Sequence, residues 1–402
     1  MKWVKICNDV EIEILASNKI EDIANSLEKN YSKHHSLGLA DGKAGIVLFF
    51  CYYNLYKNTN RFSKQIEDFI EEVNNLVFES KHMGLTFASG YAGIFWLIEF
   101  LKEEFIEFEE FTPELLMPFK EFAEKILHTE KNTDFLNGPL GLIFLLTELN
   151  QDKETVIGLV NSLRKVCLEK NSTISPPIVL VKSINTRVIN LSLSHGISSL
   201  IIILCLIYKK HNSGELKNIV YKAIKFLIDS KYKDSARYIS IFPSWIEVDS
   251  TEEDIYGSRL SWCYGDLGNG LAIYTVAKTF NDENLMQQAI EIFKFNAKRR
   301  DFNNTNIKDA EFCHGTSGVA HIYNRLYQET KIDEFRETAY YWYLKTLEFA
   351  VHDNQCAGYK TQIQGTLVED YYLFEGIAGI GLSLISAVSH IEPKWDRCML
   401  IS

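Results

Sequence analysis

The chain repeats one short frame: a glycine, two residues, a second glycine, then an apolar run. Six complete copies occur, at Gly42/Gly45, Gly90/Gly93, Gly138/Gly141, Gly265/Gly268, Gly315/Gly318 and Gly376/Gly379. A seventh, degenerate copy has Gly196 followed by Ser199. The first glycines are 48, 48, 58, 69, 50 and 61 residues apart. Self-similarity at such a period marks an architecture built from one supersecondary unit. It therefore overrides the two or three domains that 402 residues would otherwise suggest. The expectation is one domain spanning residues 1–402.

Each frame opens an apolar helical stretch, such as Ile46 to Tyr56, Ile94 to Leu101, Leu142 to Leu149 and Leu200 to Tyr208. These are apolar nearly all round, so they should be buried on every side. Amphipathic stretches lie between them, near 19–33, 63–79, 112–129, 152–170, 214–231, 282–299 and 331–350. Glycine in a helix costs about 1 kcal/mol relative to alanine. Glycines kept at a fixed offset therefore imply close approach between neighbouring helices and the turns that enter them. An open solenoid needs polar caps at its ends, yet the last copy, Tyr371 to Ala387, is as apolar as the middle ones. The pattern predicts an all-α fold, an α/α toroid of seven inner and seven outer helices. Long connections at 171–190, 232–258 and 351–370 all lead from an outer to an inner helix. Two of them read partly as strand, at Ile178–Val181 and Tyr238–Phe242, so small β-containing insertions are expected near 171–190 and 232–258.

The net charge of −11 argues against nucleic acid and against a strongly basic membrane face. The first residues lack the apolar core of a signal peptide, and no apolar run is long enough to span a bilayer. A cytoplasmic protein with eight reduced cysteines is expected.

The chemistry-bearing residues sit just before the first glycines. Cys263 precedes Gly265 by two, and Cys313 and His314 precede Gly315 by two and one. Two thiolates and one imidazole suit Zn²⁺, and three protein ligands leave one position open, as in catalytic zinc sites. Such a centre is suited to delivering a thiolate nucleophile. Asp134 precedes Gly138 by four and His195 precedes Gly196 by one, and Arg259 and Tyr264 flank Cys263. His195 is a candidate general acid or base that Asp134 could orient. Arg259 and Tyr264 could stabilise an oxyanion such as an enolate. Asp134 also suits a turn or helix cap, and the cysteines and histidine could form a structural zinc site. The remaining histidines, among them His34, His82 and His321, are expected in loops or on the surface.

Ser-His-Gly at 194–196, Ser-Arg-Leu-Ser-Trp-Cys-Tyr-Gly-Asp at 258–266 and Cys-His-Gly at 313–315 resemble the lanthionine synthetase C-like family, the lantibiotic cyclases. The resemblance covers the whole chain. It implies an α/α toroid with zinc on Cys263, Cys313 and His314. It also implies Michael-type addition of a peptide cysteine thiol to dehydroalanine or dehydrobutyrine, with Asp134, His195, Arg259 and Tyr264 as active-site residues. Ser199, in place of the second glycine of copy four, is the one departure from the frame.

Two further functions remain open at this point: a relative that adds glutathione to dehydroamino acids, and a non-catalytic scaffold that binds zinc and peptide. The zinc ligands alone do not separate a peptide cyclase from a glutathione-adding enzyme. An α/α-barrel glycosidase would need paired carboxylates at the cavity. The cyclase reading calls for a dehydrated precursor peptide with its leader. No dehydratase-like stretch precedes the repeats, so a separate dehydratase and an exporter are expected partners. That complex would hold the protein at the membrane periphery. The insertions near 171–190 and 232–258 are candidate leader contacts, and a ring closed on itself is expected to be monomeric.

Overall fold

A computed structural model of the chain describes residues 2–7, 9–78, 84–105, 113–129, 132–170, 172–181, 185–233, 238–249, 257–353 and 355–402. Amphipathic and buried helices alternate through it. The first pairs are α1 (Val10–Asn30) with α2 (Lys43–Lys57), α3 (Ser63–Phe78) with α4 (Tyr91–Glu104), and α5 (Pro113–Thr129) with α6 (Pro139–Glu148). Then come α7 (Lys153–Val166) with α8 (Ile197–His211), and α9 (Gly214–Asp229) with α10 (Asp266–Phe280). After α11 (Glu283–Ala297) and the single turn α12 (Phe302–Thr305) comes α13 (Thr316–Thr330). The last pair is α14 (Asp333–Glu348) with α15 (Ile377–Val388). Seven pairs were expected, and the described residues contain seven. The first amphipathic helix starts at Val10 rather than near 19, because Asp9 caps it by accepting from the amides of Glu11 and Ile12.

The first frame glycine is the N-cap of each buried helix and offers no side chain to the free amides. The chain satisfies them by folding back. The amide after the glycine donates to the carbonyl seven residues upstream: Lys43 to Ser36, Tyr91 to Gly84, Thr316 to Asp309 and Ile377 to Asp370. Residues one and two before the glycine therefore ride on a compact turn. Neighbouring turns are joined by further backbone bonds: Leu193 N–H to Cys263, Cys313 N–H to Phe374, Phe374 N–H to Ala40, and Ala40 N–H to Ala88. Ser199 fits the frame because it is fully buried and its hydroxyl donates to the Gly196 carbonyl.

The chain divides into two compact units. One comprises Met1–Gly84, Ala88–Phe108 and Ile307–Ser402; the other comprises Leu85–Phe87 and Glu109–Asn306. Within the first, α15 packs on α13, α1 and α2, so the last copy meets the first. A Cβ on Gly45 would lie 2.6 Å from the Leu373 Cβ and 2.5 Å from the Leu39 carbonyl oxygen. Only glycine allows that approach. Within the second, α8 packs on α6 and on α10.

Among the described residues, strands occur only as short antiparallel additions. β1 (Leu168–Lys170) pairs with β2 (Thr173–Ser175), and β3 (Val179–Val181), β4 (Thr186–Asn190) and β5 (Trp245–Glu247) form one sheet in that order. β6 (Thr361–Ile363) and β7 (Thr366–Val368) form a hairpin within the third long connection. The expected strand at Tyr238–Phe242 is not one. The Asp266 carboxylate takes the amides of Ile241 and Phe242, both at 2.9 Å, and the Ser240 hydroxyl donates to the Phe242 carbonyl. Side chains consume the bonds that a neighbouring strand would need.

His34 lies in a loop, as expected, and is buried against Tyr371 and Tyr372. One histidine departs from expectation. His321, on α13, is fully buried; its Nε2 lies 2.9 Å from Asp396, which also accepts from Arg325 at 2.8 and 3.0 Å. His82 lies outside the described residues. Among the described residues, no helix is long and apolar enough to cross a membrane.

Candidate metal centre and proton-transfer pair

The turn ahead of α13 is built around Glu311. This residue is fully buried, and its Oε1 accepts from the His314 amide at 2.9 Å and lies 2.7 Å from the His314 Nδ1. Its Oε2 has no hydrogen-bond partner among the described residues. Gly315 permits this turn, because a Cβ there would sit 2.4 Å from the Glu311 nitrogen. Burial pushes the Glu311 carboxyl up to about 8, against the hydrogen bond and charge of His314. Sequence reading missed Glu311. The only sequence signal is an acid three residues before a ligand-type histidine in a glycine turn.

Cys263 sits on the corresponding turn ahead of α10. The Ser261 hydroxyl donates to the Tyr264 carbonyl at 2.8 Å and lies 3.6 Å from the Cys263 sulfur. Cys313 and His314 follow one another on the turn ahead of α13, and with Cys263 they supply two sulfurs and one ring nitrogen. Two soft sulfurs and one imidazole make a donor set that fits zinc. With Nδ1 facing Glu311, Nε2 is the ring nitrogen left for a metal.

Asp134 and His195 meet directly. The Asp134 Oδ2 lies 2.7 Å from the His195 Nδ1, and its Oδ1 accepts from the Asn137 amide at 2.8 Å. One carboxylate thus serves both the turn ahead of α6 and the histidine. The pair is partly open, with side chains 29% exposed for His195 and 19% for Asp134. Burial works against protonation of His195, but the hydrogen bond and charge of Asp134, helped by Cys263, outweigh it. The net pKa is above the ordinary histidine value.

The Tyr264 ring centroid lies 6.1 Å from that of His195 and 6.3 Å, edge-on, from that of Trp245 on β5. The Tyr264 phenol oxygen accepts from Asn190 at 3.3 Å, and burial raises its pKa, so it remains a neutral donor. Asn190 and Trp245 face each other across the β4–β5 ladder, so the small sheet backs onto this tyrosine. Arg259 is half-buried, with no side-chain partner among the described residues. It is the one candidate that the described contacts leave apart from the others.

The match to known proteins agrees with the motifs. The profile of the Lanthionine synthetase C-like proteins covers residues 33–400, and the chain belongs to that family. Nisin biosynthesis protein NisC of Lactococcus lactis subsp. lactis is 23% identical over 398 residues, taking in 91% of this chain and 89% of that protein. The solved structure of nisin cyclase matches with a TM-score of 0.71 at 21% identity, covering 96% of this chain and 97% of that one. That likeness carries the fold class, the all-α toroid expected from the repeat.

Proposed function

We propose that the chain is a zinc-dependent lanthipeptide cyclase acting as a single domain. It adds a peptide cysteine thiol to dehydroalanine or dehydrobutyrine and forms lanthionine or methyllanthionine. The observation that carries this reading is the Asp134–His195 pair beside a turn that bears Cys263, together with the Cys263, Cys313 and His314 donor set.

The reaction needs no redox partner. A carbon–sulfur bond forms at the β-carbon, the double bond is consumed, and the proton given up by the thiol is matched by one delivered to the α-carbon. Cys263, Cys313 and His314 would hold the zinc, which when bound lowers the pKa of a substrate thiol and keeps it nucleophilic. His195 moves the proton at its Nε2, because Asp134 occupies its Nδ1. Tyr264 and Arg259 donate to the oxygen on which negative charge collects as the α-carbon awaits its proton. The substrate is a dehydrated precursor peptide with its leader, supplied by a separate dehydratase and passed to an exporter at the membrane. The insertions around β3–β5 are the candidate leader contacts.

The test combines metal content with ring closure. Purified protein is expected to hold one zinc per chain. It should remove the alkylatable thiol of a peptide carrying one dehydroalanine and one cysteine, and chelation should abolish the loss. Zinc at one per chain with the peptide thiol untouched and glutathione adducts forming instead would overturn the cyclase reading.

A further inference from the structure

We propose that Glu311 is the positioning residue of the metal centre: it holds the His314 ring in the tautomer with hydrogen on Nδ1 and so dedicates Nε2 to the metal. This rests on the zinc reading above.

The argument comes from what one oxygen must do. Glu311 Oε1 lies 2.9 Å from the His314 amide nitrogen, which can only donate. Oε1 is therefore an acceptor. The same oxygen lies 2.7 Å from the His314 Nδ1. The hydroxyl oxygen of a carboxyl is a poor acceptor, so the oxygen that takes the amide is the one without the proton, and Nδ1 is the donor. Any proton on the carboxyl would sit on Oε2, and the assignment of Nδ1–H stands whichever state Glu311 adopts. A ring with hydrogen on Nδ1 has its lone pair on Nε2 alone. Two bonds to one fully buried carboxylate also fix the ring's direction, since both come from the same residue, three positions away. A carboxylate behind a ligand histidine raises the basicity of the ligand nitrogen as well as aiming it.

The surroundings maintain this arrangement. The Glu311 amide donates to the Asp309 Oδ1 at 3.2 Å, and the other Asp309 oxygen accepts from the Gln362 amide at 2.7 Å on β6. The hairpin of the third long connection thus braces the turn that carries Glu311. Tight turn geometry alone would not require a buried carboxylate; a neutral acceptor could satisfy one amide. A fully buried acid with one oxygen unpartnered is costly, and its service to the His314 ring accounts for it.

The experiment is a zinc titration in competition with a chromogenic chelator. It uses the full-length wild type, Glu311→Ala, Glu311→Gln, His314→Ala and the Glu311→Ala/His314→Ala pair, each checked for helix content. Removing the carboxylate is expected to lower zinc affinity by roughly 10- to 100-fold. Glu311→Gln keeps an acceptor without the charge and should lose about tenfold, near the lower end of that range. A residue that acts only through His314 adds nothing once His314 is gone, so the double variant should bind no more weakly than His314→Ala alone. Ring nitrogen spectra of ¹⁵N-histidine protein without metal give a second readout. The wild type should show His314 with hydrogen on Nδ1, and Glu311→Ala should show mixed tautomers. Unchanged affinity in both Glu311 variants, or a further loss in the double variant, would overturn the proposal. A wild type that binds no zinc would instead remove the metal reading on which it rests.

Discussion

The chain contains two Asp–His pairs that look alike as residue types and behave as opposites. His195 with Asp134 is partly open, and its pKa lies above the ordinary value. His321 with Asp396 is sealed from solvent, and burial, only partly offset by Asp396, holds the His321 pKa below the ordinary value. Two further differences separate them. Asp134 spends its second oxygen on a turn amide, so its charge is left to the histidine. Asp396 is shared with Arg325, which pairs with it at 2.8 Å. A histidine with a carboxylate to itself and an open face is suited to carry a proton. When it must share the carboxylate in a dry core, it becomes a neutral packing element.

The sharpest way to break this comparison is to remove each histidine's role in turn. His195→Ala should lower ring closure by about 10²- to 10⁴-fold, read as the rate of thiol loss, while the urea unfolding midpoint barely moves. A variant that closes rings at the wild-type rate would place His195 with the structural histidines. Asp396→Ala should do the reverse. It leaves Arg325 buried without its partner and should cost roughly 3–5 kcal/mol of stability, read by urea unfolding at neutral pH. The protein that remains folded should close rings at an ordinary rate per molecule.

A smaller effect separates the pairs by pH. The folded-state pKa of His321 is depressed, so the unfolded chain binds the proton more readily. The stability this pair gives is present above the unfolded histidine value, near 6.5, and is lost as pH falls below it. Burial alone would raise the Asp396 pKa, but Arg325 and His321 outweigh it, so its own contribution is lost at still lower pH, below the usual aspartate value. His195 has the opposite sign. Its raised pKa gives stability that is present below the unfolded value and fades as pH rises through the folded one. Unfolding curves from pH 5 to 8 on His321→Asn and His195→Asn should therefore tilt in opposite directions.

The two pairs also mark how far the sequence could be read. The repeat gave the seven helix pairs, and position ahead of a glycine singled out Asp134, His195, Cys263, Cys313 and His314. These share a cause: each stands on the turn that enters a buried helix, so the offset from the glycine sets where a side chain stands. His321 was misread because its burial depends on a segment 75 residues downstream, Lys394–Met399, which no local pattern announces. The false strand at Tyr238–Phe242 has a similar origin: its alternation is real, but a distant Asp266 claims its amides. Glu311 escaped because a glutamate in a glycine turn has no periodicity to betray it; its function is visible only once both bonds to His314 are seen.

The packing of α15 on α1 and α2 also matters during synthesis. Trp3 donates to the Ser386 carbonyl, 383 positions further along the chain, and Ile6 to the Ala387 carbonyl, so early-made residues find late-made partners. At roughly 5–20 residues per second, the ribosome would take on the order of 20 to 80 s to supply them. Through that interval the apolar flank of α1 and α2 that α15 later covers stays open to water and to other nascent chains. Expression of this chain should therefore depend on chaperones that shield early-emerging segments, and truncation just before α15 should yield aggregation rather than a smaller soluble protein.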